Sequence, residues 1–138
     1  MPAVADLRSD LYRIPLPEVL TDSMHGTMRA FELVTARVRD ADGAEGVGYT
    51  FTVGRNGGAV HDTLAREIAE LAAGQDADLI EALWRRVWWA LHYGGRGGPT
   101  VLALSGAVPA PLLPLPIRAA FSYKKKSGRR EYVRVSLR

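Results

Sequence analysis

Few side chains in this sequence carry reactive or ligand-binding groups, and they are scattered. His25 follows Asp22 and Ser23 in a run of turn-formers, Thr21-Asp22-Ser23-Met24-His25-Gly26. An imidazole there is either a ligand contact or acid/base group on a loop, or a solvated loop histidine. One loop histidine specifies no reaction. Gly54-Arg55-Asn56-Gly57-Gly58 joins a strand pattern to a helical one. Backbone N–H groups at a helix start, with a guanidinium beside them, suit an anion. The competing reading is a flexible connector, because the joint has neither the Gly-Lys-Ser/Thr of a P-loop nor the spacing of a GxGxxG turn. Gly94-Gly95-Arg96-Gly97-Gly98 is a second such joint, read as a clamp for an acidic group or as a tight turn between helices. His61 has no companion at metal-ligand spacing, and His92, beside Tyr93, reads as a capping or packing residue. With no cysteine in the chain, a thiolate metal site, a disulfide framework and a cysteine nucleophile are all excluded. Residues 1–108 also lack lysine and carboxylates at metal spacing. No catalytic residue and no metal ligand is assigned.

Charge divides the chain. Residues 1–108 carry ten arginines and fourteen acidic side chains, a net of −4, whereas residues 109–138 carry eight basic side chains and one glutamate, a net of +7. Lys124, Lys125 and Lys126, with Arg129, Arg130 and the aromatics Phe121, Tyr123 and Tyr132, form a basic tail. Such a tail can meet phosphates. No zinc-finger, helix-turn-helix or RNA-recognition pattern accompanies it, so nucleic acid is a disfavoured partner. At 138 residues the chain fits one domain with a tail and is too short for a (β/α)₈ barrel, which takes about 250. No apolar run approaches the roughly 20 residues of a membrane span. The opening MPAVADLRSD lacks a basic-then-apolar leader pattern, which makes a cytoplasmic protein the expectation.

The elements that must position these groups follow from periodicity. Ala5 to Ile14 reads as a strand closed by Pro15 and Pro17, which remove backbone donors, with Thr21–Gly26 as a loop. In Phe31 to Arg39, Val34, Ala36 and Val38 share one face and Thr35, Arg37 and Arg39 the other. Asp40-Ala41-Asp42-Gly43 is a turn. In Glu45 to Val53, Val47, Tyr49, Phe51 and Val53 alternate with Gly46, Gly48, Thr50 and Thr52. The two glycines imply that something packs closely on that face. Beyond Gly54 the period becomes helical: Val60, Leu64, Ile68 and Leu71 make one stripe. Gly74 ends that helix. Asp78 and Glu81 stand at capping-box spacing before a second helix, whose stripe is Ile80, Leu83, Trp84, Val87, Trp88 and Leu91. Trp84 and Trp88 read as core, and Trp89 lies off the stripe. Pro99 opens a third helix. The expectation is an α+β domain: a three-stranded antiparallel sheet over 5–53, then helices over 58–73, 78–93 and 99–108. Four prolines between 109 and 116 stop the pattern. Residues 109–138, Pro-rich and then basic, are expected to be a weakly ordered or aberrant tail, with a short strand at 132–137 the one candidate element.

The segments LPEVLTDSMHGTM, FELVTARVRDADGAEGVGYTFTVGRNGGAV and WWALHYGGRGGPTVLALSGAV together resemble the N-terminal capping domain of the enolase superfamily. The nearest branch is that of mandelate racemase and muconate lactonizing enzyme, with its acid-sugar dehydratases. The resemblance spans about residues 5–107. It rests most on Asp42 to Gly54 and on the Gly-Arg-Gly-Gly joint leading into Ala103-Leu104-Ser105. It implies a cap above a barrel whose lysine or histidine removes a proton next to a substrate carboxylate, with Mg²⁺ held by barrel carboxylates. It also implies that the cap's two loops, Thr21–Gly26 and Thr50–Gly57, close over an acid-sugar or other carboxylate substrate. His25 and Arg55 then become candidate substrate contacts, with Ser23, Thr52 and Asn56 beside them.

Beyond Ser105 the sequence departs from the resemblance. The family's helix continues through an Ala-Leu-Trp-Asp-like stretch into the barrel, whereas this chain reads Gly106-Ala107-Val108-Pro109-Ala110-Pro111. The Lys-x-Lys spacing within Lys124–Lys126 has no apolar strand before it and reads as coincidence. The composition change near 108 reads as a truncated or frameshifted product. The expectation is a capping-domain fragment that is inactive alone and has no cofactor of its own. It would lack its barrel partner and expose Trp89, Tyr93 and part of Ala103–Val108. The alternative is a small stand-alone binding module that uses its basic tail on nucleic acid or another anionic partner.

Overall fold

The structure, a computed structural model, describes residues 2–108. The expectations for residues 109–138, including Lys124–Lys126 and the strand at 132–137, lie outside the described residues. Strands β1 (Val4–Asp22), β2 (Gly26–Asp40) and β3 (Glu45–Thr52) form one antiparallel sheet in the order β1-β2-β3. Three helices follow. The first covers 57–72, with its middle, Thr63–Ile68, widened to π-helical turns. The second is Ile80–Ala90, continued by a 3₁₀ turn at His92–Gly94, and the third is Gly98–Ala107. This is the expected α+β order. Among the described residues no helix is long and apolar enough to cross a membrane.

The core lies between the sheet and the helices. Val34 and Ala36 of β2 are fully buried, as are Val60, Leu64 and Ile68 of the first helix and Val87 of the second. Burying each large side chain contributes on the order of 2 kcal/mol. The inward face of β3 is small for a physical reason. A methyl group at Gly48 would collide with the Gly106 carbonyl oxygen, and one at Gly106 would stand 3.3 Å from Thr50 Cγ2. The third helix therefore lays its backbone directly on β3. The β2–β3 turn is closed by Asp40, whose Oδ1 accepts the N–H groups of Asp42 at 2.9 Å and Ala44 at 2.8 Å.

Four expectations are corrected. β1 does not stop at Ile14 but runs through Pro15 and Pro17 to Asp22. It is an edge strand, where a missing N–H costs little, and a register shift between Pro15 and Leu20 absorbs the extra residues. Asp78 does not cap the second helix: its N-cap residue is Leu79, and the Asp78 N–H is taken by Asp76 Oδ1 at 3.0 Å. Trp84 is not core. It is 40% exposed and stacks on Trp88 with ring centroids 5.1 Å apart, because the second helix sits at the periphery and fully buries Val87 alone. Ala103, Leu104, Ala107 and Val108 are buried rather than exposed, since the third helix is sandwiched against β3 and the first helix. Trp89 and Tyr93 are exposed.

Candidate functional site

The β1–β2 turn and the β3–helix joint lie at the same end of the sheet. β2 starts there at Gly26, and β3 ends there at Thr52, paired with Glu32. Glu32 organises the joint from β2. Its Oε2 accepts the Thr52 hydroxyl at 3.0 Å and the Gly57 N–H at 2.8 Å, and its Oε1 accepts Arg13 Nη1 at 3.2 Å. A carboxylate at the start of the first helix also meets the positive end of that helix's dipole. Gly54 takes φ +73° against the Ala30 carbonyl, and Asn56 takes φ +68° as the N-cap residue, so the chain turns sharply on either side of Arg55.

An open cavity of about 390 Å³ results, lined by Arg13, Arg29 and Arg55 together with Thr27, Ala30 and Gly54. Arg13 is shared with Glu32 and with the Gly54 carbonyl at 3.5 Å. Among the described residues, Arg29 and Arg55 have no carboxylate partner. A guanidinium fork recognises a carboxylate or phosphate through two parallel hydrogen bonds.

The β1–β2 turn is fastened locally. Asp22 Oδ1 accepts the N–H groups of Met24 at 2.8 Å and His25 at 2.5 Å, and Asp22 Oδ2 accepts His25 Nδ1–H at 2.8 Å. These bonds hold the Asp22 carboxyl below its ordinary value of 3.8: the His25 backbone N–H acts most strongly, then the His25 ring, with the Met24 N–H adding to them against some desolvation. A carboxylate on Nδ1 fixes the ring's tautomer and turns Nε2 outward as the nitrogen able to accept a proton or hydrogen bond.

Of the sequence candidates, the structure brings Arg55 to the cavity and leaves His25 and Ser23 on the turn. That turn stands six residues along β2 from the Glu32–Thr52 row, or about 20 Å at strand spacing. Asn56 is exposed at the joint and makes no side-chain capping bond. Thr52 faces inward, its hydroxyl committed to Glu32. The sequence reading missed Arg13, Arg29 and Glu32. A signal for Glu32 was present: it stands on the same face of β2 as Val34 and Ala36, a charge in a dry stripe. Arg96 lines a separate cavity of about 100 Å³ with Trp88, Trp89 and His92, whose Nδ1–H donates to the Trp89 carbonyl at 2.6 Å. Among the described residues no three His, Cys, Asp or Glu side chains come together as a metal site, so these residues do not fit an Mg²⁺ ion.

The mandelate racemase / muconate lactonizing enzyme N-terminal domain family matches residues 12–106. The chain belongs to this family. A 3,6-anhydro-alpha-L-galactonate cycloisomerase from Streptomyces coelicolor is 52% identical over 99 residues, which cover 72% of this chain and 27% of that protein. The crystal structure of a racemase from the same organism with bound magnesium superposes with a TM-score of 0.73 at 50% identity, over 75% of this chain and 29% of that one. An L-talarate dehydratase from Polaromonas, solved with Mg and L-glucarate, gives a TM-score of 0.68 at 25% identity, over 75% of this chain and 29% of that one. The chain thus spans less than a third of the length of these relatives. Its described residues form a mandelate racemase-type N-terminal domain: the matched segment holds the whole of β2, β3 and the first two helices, and both turns of the candidate site.

Proposed function

We propose that the domain is the substrate-covering cap of an acid-sugar dehydratase, racemase or cycloisomerase, one that removes a proton next to a substrate carboxylate. In this reading the cap binds and encloses, and the proton transfer belongs to a barrel partner that the described residues do not include. Arg55 and Arg29 hold a substrate carboxylate, Arg13 and Glu32 fix the joint that carries Arg55, and the Asp22–His25 pair offers Nε2 to a substrate hydroxyl. Ser23 and Asn56 are secondary contacts, and Thr52 acts through Glu32. The domain division at 108 and a cytoplasmic setting belong to the same proposal. So does the relatives' Mg²⁺, for which the cap supplies no ligands. The observation that carries the reading is the cavity at the β3–helix joint, where two arginines without carboxylate partners among the described residues stand at the same end of the sheet as the His25 turn.

The chain alone, assayed with Mg²⁺ and a panel of aldonic and aldaric acids, should give no turnover above background. Turnover that survives purification would show that the cap reading is wrong. Nuclear magnetic resonance titration with an aldarate dianion should move the amides of Thr27–Ala30 and Val53–Asn56, and the corresponding neutral sugar alcohol should not. Equal shifts with both ligands would contradict carboxylate recognition.

A further inference from the structure

The end of the domain opposite the arginine cavity, beside the β2–β3 turn, carries an apolar groove. Leu7, Val38 and Gly46 form one cross-strand row there. With Ile68 of the first helix and Leu83 of the second, they face a cavity of about 310 Å³. Protein interiors hold few voids larger than a water molecule. An apolar cavity of about 150 Å³ already takes a benzene-sized group, so this one has room for about two aliphatic side chains. Val38, Ile80 and Leu83 pack against the core and yet are only partly buried. Gly46 lies on the groove floor: a methyl group there would meet nothing within 4 Å, whereas at Gly48 it would collide with the Gly106 carbonyl oxygen. The third helix thus covers β3 as far as Gly48, and its C-terminal residues, Ala107 and Val108, stand at the edge of the groove.

We propose that this groove is the seat of the chain's own residues 109–117. They lie outside the described residues and read Pro-Ala-Pro-Leu-Leu-Pro-Leu-Pro-Ile, a run without a charge. Place favours this occupant, because the chain leaves the described residues at Val108, on the groove's edge. A covalently attached segment meets its site at high effective concentration. Reach favours it as well. The row from Gly46 to Leu7 crosses three strands, about 10 Å. A proline-rich run cannot continue the helix and favours an extended path of about 3.1 Å per residue. Leu112 and Leu113 then fall about 12–16 Å beyond Val108, far enough to cross the row. Charge favours it too. Asp40 and Glu45 line the groove, and no basic side chain does so among the described residues. Arg37, which pairs with Glu45, stands on the other face of the sheet. Residues 118–138, which follow the apolar run, carry eight basic side chains and one glutamate. The proposal does not rest on the carboxylate-binding reading.

Nuclear magnetic resonance on the methyl-labelled 138-residue chain tests it. Leu112 and Leu113 should give nuclear Overhauser cross-peaks to Val38 and Leu83 that do not depend on concentration. Leu112→Asp combined with Leu113→Asp, checked for folding by circular dichroism, should abolish them. It should also open the groove to anilinonaphthalene sulfonate, a probe of exposed apolar surface, which the unmodified chain should not bind. Gly46→Val reads the same contact from inside the domain. It raises the groove floor and should move the Leu112 and Leu113 methyl resonances. Gly58→Ala, where an added methyl also meets nothing within 4 Å, should not move them. The proposal is overturned if the unmodified chain lacks the cross-peaks, or binds the probe as strongly as the leucine variant does. Leucine resonances that stay unmoved in Gly46→Val overturn it too. Cross-peaks seen only between differently labelled molecules in a mixed sample would give the groove to a second copy, again against the proposal.

Discussion

The β1–β2 turn and the β3–helix joint share one end of the sheet, yet they are held in opposite ways. The turn is closed by neighbours in sequence: Asp22 accepts three hydrogen bonds from Met24 and His25. The joint is closed across the fold: Glu32 gathers Arg13 from β1, Thr52 from β3 and Gly57 from the first helix. The turn also projects beyond β3, past a register shift in β1 between Pro15 and Leu20, and a shift of that kind bends a strand. The joint is packed against the sheet. One end of the domain therefore combines a locally tied, outlying arm with a globally tied base, as a cap needs if it is to close over a ligand without losing its own fold.

Breaking the base should cost most. Glu32→Ala strands the Gly57 N–H beneath the joint, and the largely buried carboxylate's bonds to Thr52 and Gly57 are lost together with its ion pair to the exposed Arg13. We expect about 3 kcal/mol of lost stability in thermal or urea unfolding, with accelerated amide exchange at Gly57. An unchanged melt would mean that Glu32 is not the tie. Gly54→Ala should cost less, about 1–2 kcal/mol, for forcing a side chain into positive φ with its methyl 3.0 Å from the Ala30 carbonyl oxygen. Gly58→Ala, where a methyl group meets nothing within 4 Å, is the matched control and should not destabilise. If both glycines tolerate alanine equally, the joint is not held in the conformation described.

Breaking the arm should leave the global melt unchanged. Asp22→Ala should release only the Met24 and His25 amides to fast exchange, with no change at Gly57. The pH dependence has a definite sign. The folded-state carboxyl lies below 3.8, so its contribution is complete above the unfolded value and is lost as pH falls through the lower folded one. Exchange protection at Met24 and His25 should thus persist from neutral pH to below 3.8 and then disappear. Loss with a midpoint above 3.8 would mean that the carboxylate does not hold the turn.

What could be read from the sequence followed the same division between local and non-local contacts. The alternation of Val34, Ala36 and Val38 and the helical stripe through Val60, Leu64 and Ile68 are local periodicities, and they placed the sheet and first helix correctly. Gly48 announced a close approach, which Gly106 supplies, whereas a methyl group at Gly46 would meet nothing within 4 Å. Pro15 and Pro17 misled because their meaning depends on whether a strand is an edge, and that is fixed only by pairing. Trp84 misled because a stripe shows which face is apolar, not how much protein stands against it. Arg55 and His25 stood out by their glycine-flanked turns, but Arg13 and Arg29 lie inside strand patterns. Arg13 reaches the joint only through the register that pairs it with Glu32.

The central claim is that the arginine cavity reads a substrate carboxylate from above a barrel. Its most direct test grafts residues 1–107 onto the remaining chain of the Streptomyces coelicolor cycloisomerase, 52% identical over the shared region, and compares the graft with its Arg55→Ala and His25→Ala variants. Loss of a charge-assisted pair should lower kcat/KM for the acid substrate about ten- to a hundredfold in Arg55→Ala, and less in His25→Ala, with thermal stability retained in both. An active graft whose kcat/KM is the same in both variants would contradict the account.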